Sequence, residues 1–224
     1  MQKQNRSYTG SVAFLNSSKV PMDATNVCNP TAERPLISIC IPTYNRPSLL
    51  RRTLLSIGAD SYDLEIIVTD NSTDDQSRKI VENTLCSVPC SWRYHKNEPP
   101  VSPANNMNAG IHLARGEYVY ILHDDDYLLP GGLQKIRKKI QENPSYPVLK
   151  FDVKVVNIHG KRIYRSFQPP LSHTDGYFEP QAALQKLLGN SSFVRQPSII
   201  VKKLVYEQVG LWDDTKTPPN DTDM

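Results

Sequence analysis

The sequence has no long hydrophobic run. Its apolar stretches fall well short of the roughly 18 consecutive residues that a membrane-spanning helix requires. The early patch at residues 12–15 is shorter than the about 7–15 residues of a secretory signal core, so the expectation is a cytoplasmic protein. Cysteine is sparse: four in 224 residues exclude a disulfide scaffold. Cys86 and Cys90, spaced C-x3-C with no histidine or second pair at zinc spacing, read as structural thiols. Glycine is scarce as well, at 10 residues against 18 prolines, which points to stiff loops. Neither G-x-x-x-x-G-K-[ST] nor G-x-G-x-x-G occurs, which excludes a P-loop and argues against a dinucleotide-binding Rossmann domain. An excess of charge is also missing. With 26 basic and 23 acidic side chains the net charge is +3, too balanced for an obligate nucleic-acid binder, so no nucleic acid partner is expected.

What is present suits a globular domain. Hydrophobic residues make up 38% and charged residues 22%. Residues 1–35 are rich in Asn, Ser, Thr and Pro without periodicity and read as a flexible N-terminal extension. From Leu36 onward, apolar runs at residues 36–41, 65–69 and 118–122, and a strand-like stretch at 91–96, alternate with helical patterns, the first opened by Pro47. That alternation predicts βαβ units: an α/β fold with a mainly parallel sheet flanked by helices. Residues 105–115 read as a helix with Gly116 as its C-terminal cap. A helix after Pro130 is expected to bury Leu133, Ile136 and Ile140 and to expose Lys135, Arg137, Lys138 and Lys139. Residues 148–158 alternate like a strand leading to a turn at His159-Gly160-Lys161, and a further helix and strand are expected at 179–188 and 198–201.

In an open α/β sheet, ligands bind beyond the carboxyl ends of the strands. Here the first strand runs into Pro42-Thr43-Tyr44-Asn45-Arg46, the second into Asp70-Asn71-Ser72-Thr73-Asp74-Asp75, and the fourth into His123-Asp124-Asp125-Asp126. All three polar clusters are expected along one sheet edge. Adjacent carboxylates repel unless something offsets their charge, and a divalent cation does so while bridging phosphate oxygens. A solvated acidic turn ahead of the next helix explains the same residues. Tyr44 is suited to stack on a base, or to pack as a loop aromatic, and Asp70 to accept a hydrogen bond from a base N–H.

The three runs, with Ile39-Cys40-Ile41 ahead of the first and Gly116-Glu117-Tyr118 ahead of the last, resemble glycosyltransferase family 2 in order and spacing. The resemblance covers about residues 36–223 and implies a GT-A fold. Residues 36–130 would form a nucleotide-sugar half, and 131–224 an acceptor half that looks incomplete. By position it implies that Pro42, Thr43, Tyr44, Asn45 and Arg46 line the nucleotide-sugar site and that Asp70 recognises the base. Asp124 would lie near the ribose, and Asp125, with Asp126, would hold Mn2+ or Mg2+. His123 stands where many relatives carry Asp. The stretch Asn220-Asp221-Thr222-Asp223 is similar to the family's catalytic segment with Asn220 in place of Glu, which makes Asp221 the candidate general base.

The implied activity is transfer of a sugar from a nucleoside diphosphate sugar to a glycan or lipid-linked acceptor hydroxyl. The implied outcome is inversion, in surface polysaccharide or glycan synthesis, with peripheral contact at the inner face of the membrane. Two other classes fit parts of the sequence: a non-catalytic nucleotide- or carbohydrate-binding relative, and a metal-dependent sugar nucleotidyltransferase. Acceptor specificity is expected within residues 148–217. There His159, His173, Tyr177 and Arg195 are candidate contacts, with core or surface roles as the favoured alternative for each.

Overall fold

The computed structural model describes residues 24–27, 34–58, 63–157, 159–163, 175–189 and 195–214. Strands and helices alternate through the first half: β1 (Ala24–Val27), β2 (Ile37–Thr43), α1 (Pro47–Ile57), β3 (Leu64–Asp70), α2 (Gln76–Leu85), β4 (Ser91–Lys96), α3 (Pro103–Leu113) and β5 (Tyr118–Ile121). They continue as α4 (Gly132–Glu142), β6 (Val148–Lys150), α5 (Pro180–Gly189), β7 (Ile199–Lys202) and α6 (Lys203–Val209).

The described strands form one sheet in the order β1-β4-β3-β2-β5-β7-β6. β4, β3, β2 and β5 are parallel to one another, whereas β1 joins β4, and β7 joins β5 and β6, antiparallel at the two sides. The chain builds outward from β2 through β3 to β4, then crosses back over β2 by α3 to place β5 on its other side. The gap between β2 and β5 is therefore the topological switch point of the sheet, the place where such folds bind ligands.

Both faces of the central strands are covered, so these strands read as continuous apolar runs. Ile37, Ile39 and Ile41 pack with Leu50, Leu54, Val81, Leu133 and Ile136 on the face of α1, α2 and α4. Cys40, Ile67, Val119 and Ile121 pack with Met107 and Ile111 of α3 on the other, extended by Tyr206, Leu211 and Trp212. Pro47 opens α1 as expected, because its missing N–H is one a first helical turn leaves unpaired.

Four expectations need correction. Residues 24–27, assigned to a flexible extension, form an edge strand against β4, pairing Ala24 with Tyr94 through Val27 with Ser91. The open edge of β4 supplies the backbone partners that a short polar segment lacks on its own. Gly116 is not a helix cap. The third helix ends at Leu113, and Gly116 lies where an added Cβ would sit 2.6 Å from the Ser38 backbone nitrogen. Only glycine fits so close an approach. The strand expected over 148–158 pairs with β7 for only three residues, because β7 begins at Ile199 after a 3-10 turn at Gln196–Ser198; beyond them Val156 forms an isolated bridge with Arg162 around the expected turn. Arg137 is not on the exposed face of α4: it is buried and paired with Asp63.

Candidate functional site

Thr43 ends β2 and Asp124 follows β5, so the switch point brings together residues 81 apart in sequence. The Thr43 Oγ1 donates to Asp124 Oδ2 at 2.7 Å. Arg46, just before α1, sends Nη1 to Asp124 Oδ1 at 3.3 Å and to Asp125 Oδ2 at 3.2 Å. The next helical turn holds the acidic backbone. Thr53 Oγ1 donates to the carbonyl of Asp124 at 2.8 Å or of Asp126 at 2.5 Å, and Arg52 Nη2 donates to the carbonyl of Asp125 at 2.7 Å. The Asp126 N–H donates to the His123 carbonyl at 3.1 Å, closing residues 123–126 into a tight turn.

That turn sorts the acidic run. Asp124 is only 4% exposed and faces Thr43 and Arg46. His123, Asp125 and Asp126 share the mouth of the site, each offering one ligand atom, all within 4.8 Å of one another. Burial pushes the Asp124 carboxyl above its ordinary value, against the opposing pull of the Thr43 hydroxyl and the Arg46 charge. Burial also raises Asp126, reinforced by Asp125 and opposed by His123, Arg195 and Arg52. His123, Asp125 and Asp126, with Asp124 held aside by Thr43 and Arg46, form a donor set suited to a divalent cation.

The end of β3 differs from the expectation that Asp70 meets a base directly. Asp70 is wholly buried. Its Oδ1 accepts from the Ser72 N–H at 2.7 Å and its Oδ2 from the Tyr94 hydroxyl at 2.5 Å. In this structure Asp70 shapes the loop that follows it. Asn45 likewise faces that loop: its N–H donates to Ser72 Oγ at 2.8 Å and its Oδ1 accepts from the Thr73 N–H at 3.0 Å. Its φ of 53° is a conformation that asparagine tolerates better than most residues. Tyr44, by contrast, is 54% exposed at the rim, and Pro42 is part-buried at the end of β2.

Sequence reasoning missed a buried asparagine network. Asn97 Nδ2 donates to Asn71 Oδ1 at 2.9 Å or to Asn106 Oδ1 at 2.8 Å. Thr69 Oγ1 donates to the Asn106 carbonyl at 2.9 Å, and Asn71 Nδ2 to the Val101 carbonyl at 2.9 Å. These side chains tie β3, β4 and α3 together at the ligand edge. Their one sequence signal was three asparagines in the first turns of a helix (Asn105, Asn106, Asn108), where asparagine is a poor helix former. Gln196 was also missed, and Arg195 stood only among the candidate acceptor contacts. Arg195 lies close enough for its charge to favour ionised Asp126, and Arg195 Nε and Gln196 Nε2 are buried without a hydrogen-bond partner. Asp221 lies outside the described residues. The last described residues reach the same edge, with Asn105 Nδ2 donating to Asp214 Oδ2 at 2.5 Å and Asn108 Nδ2 to the Trp212 carbonyl at 2.9 Å.

A sheet with this switch point and an acidic turn after the strand beside it defines the GT-A fold of nucleotide-sugar transferases. Among solved structures, S. aureus TarS in complex with UDP-GlcNAc superposes with a TM-score of 0.56 at 22% identity, over 77% of this chain and 46% of that one. The mannosyltransferase PcManGT of Pyrobaculum calidifontis, in complex with GDP-Man and Mn2+, superposes with a TM-score of 0.57 at 19% identity, over 91% of this chain and 54% of that one. Residues 38–203 match the model of glycosyl transferase family 2, and the chain belongs to that family. It is 38% identical over 110 residues to the GalNAc(5)-diNAcBac-PP-undecaprenol beta-1,3-glucosyltransferase of Campylobacter jejuni, covering 48% of this chain and 35% of that protein. It is 34% identical over 101 residues to abequosyltransferase RfbV of Salmonella typhimurium, covering 44% of this chain and 30% of that protein. The chain thus spans about a third of these curated relatives and about half of the solved chains.

Proposed function

We propose that this chain carries the donor site of an inverting glycosyltransferase, which moves a sugar from a nucleoside diphosphate sugar to an acceptor hydroxyl with Mn2+ or Mg2+. The carrying observation is the Thr43–Asp124 hydrogen bond across the switch point, which withdraws Asp124 and leaves Asp125 and Asp126 at the mouth. Those two carboxylates fit a divalent cation, which supplies charge neutralisation for the departing diphosphate. Thr43, Arg52 and Thr53 fix the turn that presents them, so the donor set is oriented before any ligand arrives. Tyr44, exposed at the rim, is placed to stack on the nucleobase. Asp70, with Ser72 and Tyr94, orders the loop that borders the base rather than contacting it.

In the transfer, the acceptor oxygen bonds to the anomeric carbon as the bond from that carbon to the diphosphate oxygen breaks. Asp221, assigned by family resemblance, takes the acceptor proton. The undecaprenol-linked name of the Campylobacter relative supports a lipid-linked glycan acceptor. No helix among the described residues is long and apolar enough to cross a membrane.

The test incubates the chain with UDP-, GDP- and dTDP-sugars and Mn2+ and measures nucleoside diphosphate release. Release that disappears in Asp125→Ala is the expected result. Nucleotide affinity without release would identify a binding module instead, and pyrophosphate release a nucleotidyltransferase.

A further inference from the structure

We propose that His123 is itself a metal ligand, and that its imidazole makes this centre select a first-row transition ion over Mg2+. The inference rests on the reading above that the site takes a divalent cation. It goes beyond that reading in naming a nitrogen ligand and the metal preference that follows.

The backbone sets up the arrangement. Leu122 N–H donates to the Cys40 carbonyl at 3.0 Å, continuing the backbone pairing with β2 one residue past β5, and the chain turns at the next residue. The bond from the Asp126 N–H to the His123 carbonyl then folds residues 123–126 back on themselves. One acid of the run is removed by that turn: both oxygens of Asp124 are engaged, by Thr43 at 2.7 Å and Arg46 at 3.3 Å. An imidazole takes the third place instead, and the ligand atoms of His123, Asp125 and Asp126 lie within 4.8 Å of one another. His123 and Asp126 are part-buried and Asp125 is exposed, so the group opens to solvent on one side, as an ion that must also meet a diphosphate requires.

Ligand chemistry sets the preference. Mg2+ takes oxygen ligands and keeps its waters, whereas imidazole nitrogen favours first-row transition ions, with affinity rising from Mn2+ to Co2+. A three-carboxylate mouth would accept Mg2+ readily; two carboxylates and an imidazole shift the balance toward Mn2+ and Co2+.

The experiment titrates the full chain, with UDP or GDP present, with Mn2+ followed by its electron paramagnetic resonance, and with Mg2+ and Co2+ as competitors. The expected order is Co2+, then Mn2+, then Mg2+, with Mn2+ bound about tenfold or more tighter than Mg2+. His123→Ala is expected to weaken Mn2+ by about tenfold or more, since even outer partners of metal ligands are worth about 10–100-fold. His123→Asp keeps a polar ligand at the turn and should bring Mn2+ and Mg2+ to similar affinity. Pulsed resonance on bound Mn2+ should detect nitrogen coupling in the wild type and none in His123→Asp. Bound Mn2+ with no nitrogen coupling, or unchanged affinity in both variants, overturns the assignment of His123 and leaves metal-assisted transfer standing. Absence of Mn2+, Co2+ and Mg2+ binding to the wild type would overturn both.

Discussion

Two buried carboxylates show how differently the same functional group is used at the two ends of one sheet. Glu65, at the start of β3 and far from the ligand edge, is wholly buried and fully engaged. It accepts from Ser38 Oγ at 2.5 Å, Arg93 Nη2 at 3.0 Å, Arg115 Nε at 3.1 Å, Gly116 N at 3.2 Å and the Arg115 backbone N–H. This is a structural clamp, and it explains why Gly116 must approach Ser38 so closely. Glu65→Ala leaves the part-buried Arg93 without its carboxylate partner and should cost about 3–5 kcal/mol, read from the urea midpoint. Asp124 holds its place through fewer bonds and sits beside the ligand mouth. Thr43→Val removes the hydroxyl from a buried carboxylate oxygen and should cost about 1–3 kcal/mol. Because the same bond orients the acidic turn, that variant should also bind UDP or GDP with Mn2+ more weakly. A loss of stability with unchanged nucleotide affinity in a calorimetric titration would remove Thr43 from the site.

At the scale of elements, the loop between β3 and α2 is fastened to the end of β4. Lys96 Nζ donates to the Asp74 carbonyl at 2.9 Å and pairs with Asp75 Oδ1 at 2.9 Å. The hydrogen bond from Lys96 holds the Asp75 carboxyl below the ordinary aspartate range. A depressed carboxyl contributes stability that is present above its unfolded value, about 3.9, and is lost as pH falls through the folded value. The stability gap between wild type and Asp75→Asn should therefore close as the pH drops below about 4, as denaturant midpoints along a pH series would show. A gap that widens on acidification contradicts the pairing. The edge strand β1 raises a different expectation. It contributes backbone pairing to β4 at the sheet edge, with β4, β3 and β2 between it and the switch point, so deleting residues 1–27 should lower the melting temperature and leave donor binding unchanged.

The whole molecule couples the site to stability, because its ligand edge is made by loops from β2, β3 and β5 and by α1. A nucleotide and cation that bind only the folded chain stabilise it by about 2.7 kcal/mol at one hundred times their dissociation constant. For a chain of this length each kcal/mol moves the midpoint by about 2–4 °C. UDP or GDP with Mn2+ should thus raise the melting temperature by about 5–10 °C, and a chelator should abolish the rise. An equal rise in the presence of the chelator would mean that the nucleotide binds without metal.

Much of this was written in local sequence. The order of strands and helices, the parallel core strands, and the three polar runs after β2, β3 and β5 follow from apolar periodicity, and periodicity is a property of neighbours in the chain. What each polar residue does was not written there. Asp70 and Asn45 were candidates for the ligand, yet burial and the loop after β3 claim their side chains. Asn97 looked unremarkable, as did Asn106 apart from its helical context, since their partners are distant in sequence or on another element. Arg137 followed the exposed side of a helical pattern until Asp63 gave its charge a buried partner. The sequence by itself determined which segments become strands and helices and which edge of the sheet is polar, because side-chain alternation fixes those facts residue by residue. The tertiary structure alone decided that β5 lies beside β2, that Asp124 is withdrawn to Thr43, and that His123 joins Asp125 and Asp126. The first two depend on distances across the switch point, where atoms meet whose residues lie some eighty positions apart, and the third on the turn that folds residues 123–126 back on themselves.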